Sequence, residues 1–493
     1  MRVGPPLTKV SERALGFFRE FCRPWSPLII LATRTSSPMK QLYTLLLVFS
    51  LNSAMAQSAQ LWGMTTLGGA NDMGSIFRMS TDGSDFQVVF SFDSISGSGP
   101  EGGLCLAPNG KLYGMTNNNG VNDVGTLFSI STTTLAFDKI MDLNFGMGAF
   151  PWGSMILGSD GMLYGTGIGD LFRLDPATDS FTSISNHGVV EGLLQASNGI
   201  IYGGDAYSGT NGDGLIFSFD PADQQTEELH SFNTTDGKTP YGKLCEADNG
   251  KLYGMTYQGG ANDDGVIYAY DPVGGTLNVV LDFDGSNGHS PWSCMIPIGP
   301  DRLLGSVTLG GTTGGGALFE LTPSTGQFVE TYAFGYSPNL GTLLFGGIIQ
   351  GTDGMVYGMA ASGGSGGGGG TVYHYHPGTH SVSVLHNFTG GSNGTTPHGE
   401  LTYVGSSVQV AEIESPDGVK VFPNPAEGSA TVTLSGLGRS VESVMLTDAT
   451  GRSVWQGEPG LSIQQLTLPA SPGVYMLTYG TAGSRSTKRI VVR

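Results

Sequence analysis

The sequence predicts an all-β protein, a seven-bladed β-propeller followed by a small immunoglobulin-like β-sandwich. Three observations carry the propeller: a sevenfold repeat, four short alternating segments in each unit, and a first unit lacking the opening segment that reappears after the last. The anchors are Leu61-Trp62-Gly63, Leu112-Tyr113-Gly114, Leu163-Tyr164-Gly165, Ile201-Tyr202-Gly203, Leu252-Tyr253-Gly254, Leu303-Leu304-Gly305 and Val356-Tyr357-Gly358. They are spaced by 51, 51, 38, 51, 51 and 53 residues, and a period of about 50 built from short strands marks propeller blades or a similar array.

One unit, from Gly103 to Asn144, shows the parts. Gly-Leu-Cys-Leu-Ala is the first strand, Lys111 to Thr116 the second, Thr126 to Ser131 the third and Phe137 to Leu143 the fourth. Asn109-Gly110, Asn198-Gly199 and Asn249-Gly250 separate the first two strands, as expected for two-residue hairpins whose positive φ angles Asn and Gly tolerate. Asp175-Pro176, Asp220-Pro221 and Asp271-Pro272 separate the third and fourth, where Asp before Pro starts a type I turn. The first unit begins at its second strand, Gln60 to Thr65, and the spare first strand runs from His398 to Val404. Pairing of these two segments would close the ring and remove its exposed sheet edges.

The chain divides into an extension over 1–38 that reads as a misassigned start, a signal peptide over 39–56, the propeller over 57–408, a linker over 409–418 and a terminal domain over 419–493. The signal peptide is read from Met39-Lys40, the apolar run Leu42 to Leu51 and the small-residue site Ala54-Met55-Ala56. That run is about half the ~20 residues a membrane-spanning helix needs, so no transmembrane segment is expected. The terminal domain alternates as an antiparallel sandwich does.

Val421-Phe422-Pro423-Asn424-Pro425-Ala426, the turn Asp448-Ala449-Thr450-Gly451-Arg452, Pro472-Gly473-Val474-Tyr475 and the basic final strand occur in that order. Together they resemble the type A sorting domain of the type IX secretion system of Bacteroidetes. The resemblance implies export across the outer membrane, the secretion machinery as a partner, and a secreted or surface-attached product. The repeats resemble the GloVer tandem repeats of such surface proteins through L-Y-G-M-T, G-G-A-N-D-x-G and I-F, a resemblance that implies no particular activity.

The formal charge of −19 becomes −24 once the +5 of residues 1–56 is set aside, and the region from Ala411 onward is neutral. The whole negative charge therefore belongs to the propeller, which excludes a phosphate-backbone reader built on Lys and Arg; nucleic acid is not an expected partner. Three cysteines remain beyond the leader, Cys105, Cys245 and Cys294. Their odd number and spacing predict small core residues rather than a disulfide framework.

In a propeller the fourth-to-first and second-to-third connections emerge on one face. The former carry Pro151-Trp152, Pro240-Tyr241, Pro291-Trp292 and Pro397-His398. Trp152, Tyr241, Trp292 and His398 are thus the candidate ligand-binding residues, able to stack on sugars or grip a protein. Wedging between neighbouring blades accounts for the same pattern. The second-to-third loops repeat Gly-Gly-Ala-Asn-Asp-x-Gly at 68–74 and 259–265. Asn71, Asp72, Asn262, Asp263 and Asp264 offer oxygen ligands for calcium, although turn chemistry explains them more simply. His374, His376 and His380 crowd one hairpin, but the repeat alignment sets His374 on a solvent-facing position and His376 at the turn aspartate. No metal site is therefore expected.

Gly363 to Gly370 lacks the Lys-Ser and strand-to-helix context of a phosphate loop, and neither a G-x-S-x-G elbow nor an H-E-x-x-H motif occurs. No catalytic constellation is legible. The sequence favours a binding or interaction module with a glycan or protein ligand; the alternative is a polysaccharide-active hydrolase or lyase with its site over the channel.

Overall fold

Across each blade the glycine of the L-Y-G anchor lies beneath an aromatic ring of the neighbouring strand. Gly114 pairs with Phe128, and a Cβ on Gly114 would lie 2.5 Å from the Phe128 ring and 2.8 Å from Leu104. The same pairing joins Gly63 to Phe77, Gly165 to Phe172, Gly203 to Phe217, Gly254 to Tyr268, Gly305 to Phe319 and Gly358 to Tyr373. The aromatic covers the strip that glycine leaves bare, which explains why both positions recur.

The computed structural model describes residues 59–185, 192–335 and 340–405, and in the C-terminal region 420–422, 431–435, 443–447, 452–457, 463–467, 473–481 and 484–492. The expected extension at 1–38, signal peptide at 39–56 and linker at 409–418 lie outside the described residues.

Seven four-stranded antiparallel sheets span 60–404. In the second blade, Cys105–Leu106, Lys111–Thr116, Thr126–Ser131 and Phe137–Asp142 run in order from the centre outward. The first blade is assembled from both ends of the array. Thr402–Val404 supplies its innermost strand and pairs with Gln60–Thr65, Leu61 opposite Tyr403. The expected closure is thus present, over a shorter strand than the seven residues read from the sequence.

Among the described residues the propeller core falls into seven clusters, each between neighbouring blades. Leu112 packs with Trp62 and Ile76 of the preceding blade, whereas its neighbour Tyr113 packs with Leu163 and Phe172 of the following one. Alternation along a strand produces this division, successive side chains pointing to opposite faces. The cluster holding Tyr357, Val372, Leu61, Phe77 and Leu401 joins the last blade to the first.

One local expectation changes and one feature is added. The first turn is a three-residue loop: the Ala107 N–H donates to the Lys111 carbonyl, and Gly110 alone takes a positive φ, 76°. Asn109 is free to use its side chain instead, its amide donating to the Tyr113 hydroxyl at 2.8 Å. Asn198–Tyr202 and Asn249–Tyr253 repeat the bond, while the Tyr164 and Tyr357 hydroxyls donate to Asp160 and Asp353. Second, every blade carries a β-bulge between its third and fourth strands beside the recurring aromatic, as at Leu127/Phe128. A bulge adds one unpaired residue and strengthens local twist.

In the C-terminal region, Lys420–Phe422, Thr431–Ser435 and Ile463–Thr467 form one sheet, and Ser453–Gly457, Ser443–Thr447, Gly473–Thr481 and Ser484–Val492 another. Val444, Leu446, Tyr475 and Leu477 are buried. Among the described residues no helix is long and apolar enough to cross a membrane.

Candidate functional site at the channel mouth

The first strands approach one another so closely around the channel that backbone must meet backbone. A Cβ on Gly102 would strike the Gly153 carbonyl, one on Gly242 the Ser293 carbonyl, one on Gly346 the Gly399 carbonyl, and one on Gly399 the Gly102 carbonyl. This necklace of small residues fixes where the side chains on either side of it stand. Immediately before it come Glu101, Trp152, Tyr241, Trp292, Phe345 and His398; immediately after it come Gly103, Ser154, Lys243, Cys294, Gly347 and Glu400.

The four residues expected at the mouth are brought into one group. Tyr241 stacks on Trp292 with ring centres 4.4 Å apart and an interplanar angle of 19°. Trp152 lies 6.3 Å from both rings. Phe345 bridges to His398, meeting Trp292 edge-on at 5.8 Å and stacking on the imidazole at 4.7 Å. Trp152, Trp292, Phe345 and His398 are half-buried and line a cavity of about 450 Å³ with Glu101 and Tyr257. Tyr241 is buried behind them and its hydroxyl shares a hydrogen bond with Tyr207. Tyr241 therefore packs between the blades, while Trp152, Trp292, Phe345 and His398 border the cavity.

Below the rings an ion pair crosses the channel. Lys243 Nζ lies 3.1 Å from Glu400 Oε2, although the residues stand 157 positions apart and three blades away around the ring. Glu400 holds the ammonium well above its usual range, against the desolvation that opposes it. The cysteines surround this pair. Burial pushes the Cys105 thiol up to about 12, with the Glu400 charge adding to the effect. Burial likewise raises Cys245 and Cys294, so all three stay protonated and unreactive at neutral pH. They are free cysteines.

His398 is neutral at physiological pH because burial pushes its imidazole from 6.5 down to about 4. The folded state therefore binds fewer protons than the unfolded chain below pH 6.5. The stability that the neutral ring contributes is complete above that pH and is lost as pH falls through about 4. Burial raises the Glu101 carboxyl, which acts in the opposite direction. Replacing His398 by Phe should leave Glu101 in place and flatten the acid limb. Melting curves between pH 7 and 4 should show wild type losing about 1–2 kcal/mol more than the variant, after allowance for partial exposure. Parallel curves would remove His398 as the cause.

The loops weighed for calcium use their side chains internally. The Asn71, Asn122, Asn211 and Asn262 amides each donate to the carbonyl of the residue that follows the fourth strand, at 2.8 to 2.9 Å. Asp72 and Asp263 adopt φ near 60° and accept from the Gly68 and Gly259 N–H groups. His376 Nδ1 accepts from the Gly378 N–H, doing the work of the turn aspartates, and His374 is half-buried rather than solvent-facing. Among the described residues no His, Cys, Asp and Glu group is arranged to hold a metal.

Sequence reasoning missed Phe345, Tyr257, Glu101 and the Lys243–Glu400 pair. Phe345-Gly346-Gly347 aligns with Tyr241-Gly242-Lys243, a signal hidden by the lack of a preceding proline.

The Gloeobacter/Verrucomicrobia repeat model matches residues 50–192 and 188–410, and the secretion system C-terminal sorting domain matches residues 420–493. Comparison with curated proteins gives no match. Among solved structures, PorZ of the type IX secretion system of Porphyromonas gingivalis is similar at 16% identity, over 88% of this chain and 58% of that one, with a TM-score of 0.41. The extracellular domain of BT4673 from B. thetaiotaomicron is similar at 12% identity, over 88% and 56%, with a TM-score of 0.43. The chain thus spans little more than half the length of either. The chain belongs to the Gloeobacter/Verrucomicrobia repeat family, and its type IX sorting domain marks it for export to the cell surface or beyond.

Proposed function

We propose that the exported propeller is a binding module whose ligand, a glycan or a protein, docks on the aromatic side of the channel mouth. The observation that carries this reading is the convergence of Trp152, Trp292, Phe345 and His398, from four different blades, on one cavity. Flat amphipathic rings held by a rigid scaffold supply contact area at little cost in conformational entropy. A glycosidase needs two carboxylates in complementary states. Glu101 and Glu400 line the channel, but Glu400 is committed to Lys243, and this favours binding over turnover.

A glycan array, probed with the full chain with and without calcium and followed by product analysis, tests the reading. Binding without cleavage is expected, with Trp152→Ala plus Trp292→Ala weakening it at least tenfold. Cleavage products would replace this reading with the hydrolase or lyase; silence on every glycan would leave protein partners as the ligands to screen.

A further inference from the structure

The channel mouth holds an anion without a counter-charge. Glu101 lines both the cavity of about 450 Å³ and the constriction beneath it. Among the described residues no hydrogen bond or ion pair reaches its carboxylate. Lys243 is the cation lining the constriction, and it is taken by Glu400 at 3.1 Å. Trp152, Trp292, Phe345 and His398 line the same cavity as Glu101, and His398 is kept neutral. A carboxylate walled by electron-rich rings attracts ammonium groups twice over, by direct charge and by the ring quadrupoles. The acidic propeller adds a long-range field of the same sign. An anionic sugar meets repulsion in this setting. A neutral one leaves the carboxylate desolvated and unpaired, which is costly.

Resting on the binding reading above, we infer that the mouth of the channel selects glycans carrying free, protonated amino groups, with the Glu101 carboxylate as the counter-ion and Trp152 and Trp292 as the stacking surfaces. Burial holds the Glu101 carboxyl above its ordinary range. An arriving ammonium acts in the opposite direction and favours the ionised carboxylate. The cavity volume falls in the range that takes small ligands, so recognition reads one or two sugar units rather than a long chain.

The probes are a β-1,4-linked glucosamine disaccharide, its N,N′-diacetyl counterpart and cellobiose, which share a backbone and differ only in the C2 substituent of each ring, an ammonium, a neutral acetamide or a hydroxyl. Each is titrated against the full chain at a pH that keeps the amines protonated, by calorimetry and by tryptophan fluorescence, to which Trp152 and Trp292 contribute among the five tryptophans. The free-amine disaccharide is expected to bind at least tenfold tighter than the acetylated one, with affinity falling as salt rises. Glu101→Gln should erase that preference by weakening the free-amine disaccharide, while cellobiose binds as well or tighter because no unpaired carboxylate is left in the cavity. Equal or tighter binding of the acetylated disaccharide, or a preference that survives Glu101→Gln, overturns the inference and leaves the aromatic face as a neutral-glycan site. Failure of all three to bind overturns both this inference and the glycan form of the binding reading.

Discussion

Lys243→Met should destabilise the propeller by about 2–3 kcal/mol, more than Glu400→Gln, and the double variant Lys243→Met/Glu400→Met should recover most of the loss. The pair is shielded but not sealed, with side-chain exposures of 27% and 18%. Breaking a fully buried pair costs about 3–5 kcal/mol because one charge is left uncompensated, and the partial exposure here reduces that figure. The asymmetry follows from what remains. Lys243→Met leaves Glu400 unpaired in a channel that already contains Glu101, whereas Glu400→Gln leaves a lysine in an acidic surrounding. Replacing both ends by apolar side chains removes the charges together, a change often neutral in buried pairs. Chemical denaturation of wild type, Lys243→Met, Glu400→Met and the double variant measures the cycle, with Glu400→Gln as the near-isosteric comparison. Single variants within about 0.5 kcal/mol of wild type would show that the bond across the channel is immaterial to stability.

Lys243–Glu400 also marks where sequence reading ends. The blade repeat was legible because its determinants are short-range: a glycine opposite an aromatic, an Asn or Asp four residues before a tyrosine, a left-handed glycine in a turn. Ring closure was legible because the offset between Gln60–Thr65 and Thr402–Val404 leaves one blade incomplete at each end. The ion pair joins residues 157 apart, and only a register relating first strands in different blades reveals that Lys243 and Glu400 share one level of the channel. Tyr241 and Trp292 looked equivalent for the same reason. Both follow proline before a first strand, yet Tyr241 is 6% exposed while Trp292 faces the cavity. The difference lies in Tyr207, which closes over Tyr241 from a second-to-third loop. The bulges escaped notice because an extra residue in the fourth strand leaves the spacing of the anchors unchanged.

Gly114→Ala should destabilise the protein by about 1–3 kcal/mol, contrary to the usual benefit of about 0.4–1 kcal/mol when Gly is replaced by Ala at a compatible site. Gly114 has an ordinary backbone conformation, so the cost comes from space. The new methyl would stand 2.5 Å from the Phe128 ring and 2.8 Å from Leu104, both buried. Phe128 is itself packed against Phe92 and Phe137, with ring centres at 5.2 and 5.3 Å. Phe128→Ala should cost about 3–5 kcal/mol through the cavity it leaves. The two costs should not add. Once the ring is gone, the methyl at position 114 occupies part of the vacated volume, so Gly114→Ala should be neutral or stabilising in the Phe128→Ala background. A coupling of about 1–3 kcal/mol is therefore expected from the double-mutant cycle. Additive losses would mean that the glycine answers to the backbone alone. The cycle repeated at Gly203 and Phe217, where the Cβ would stand 2.8 Å from the ring, should give the same sign with a smaller coupling. Such a result would make the glycine–aromatic contact, rather than the turn chemistry that varies between Asn and Asp, the element that defines a blade.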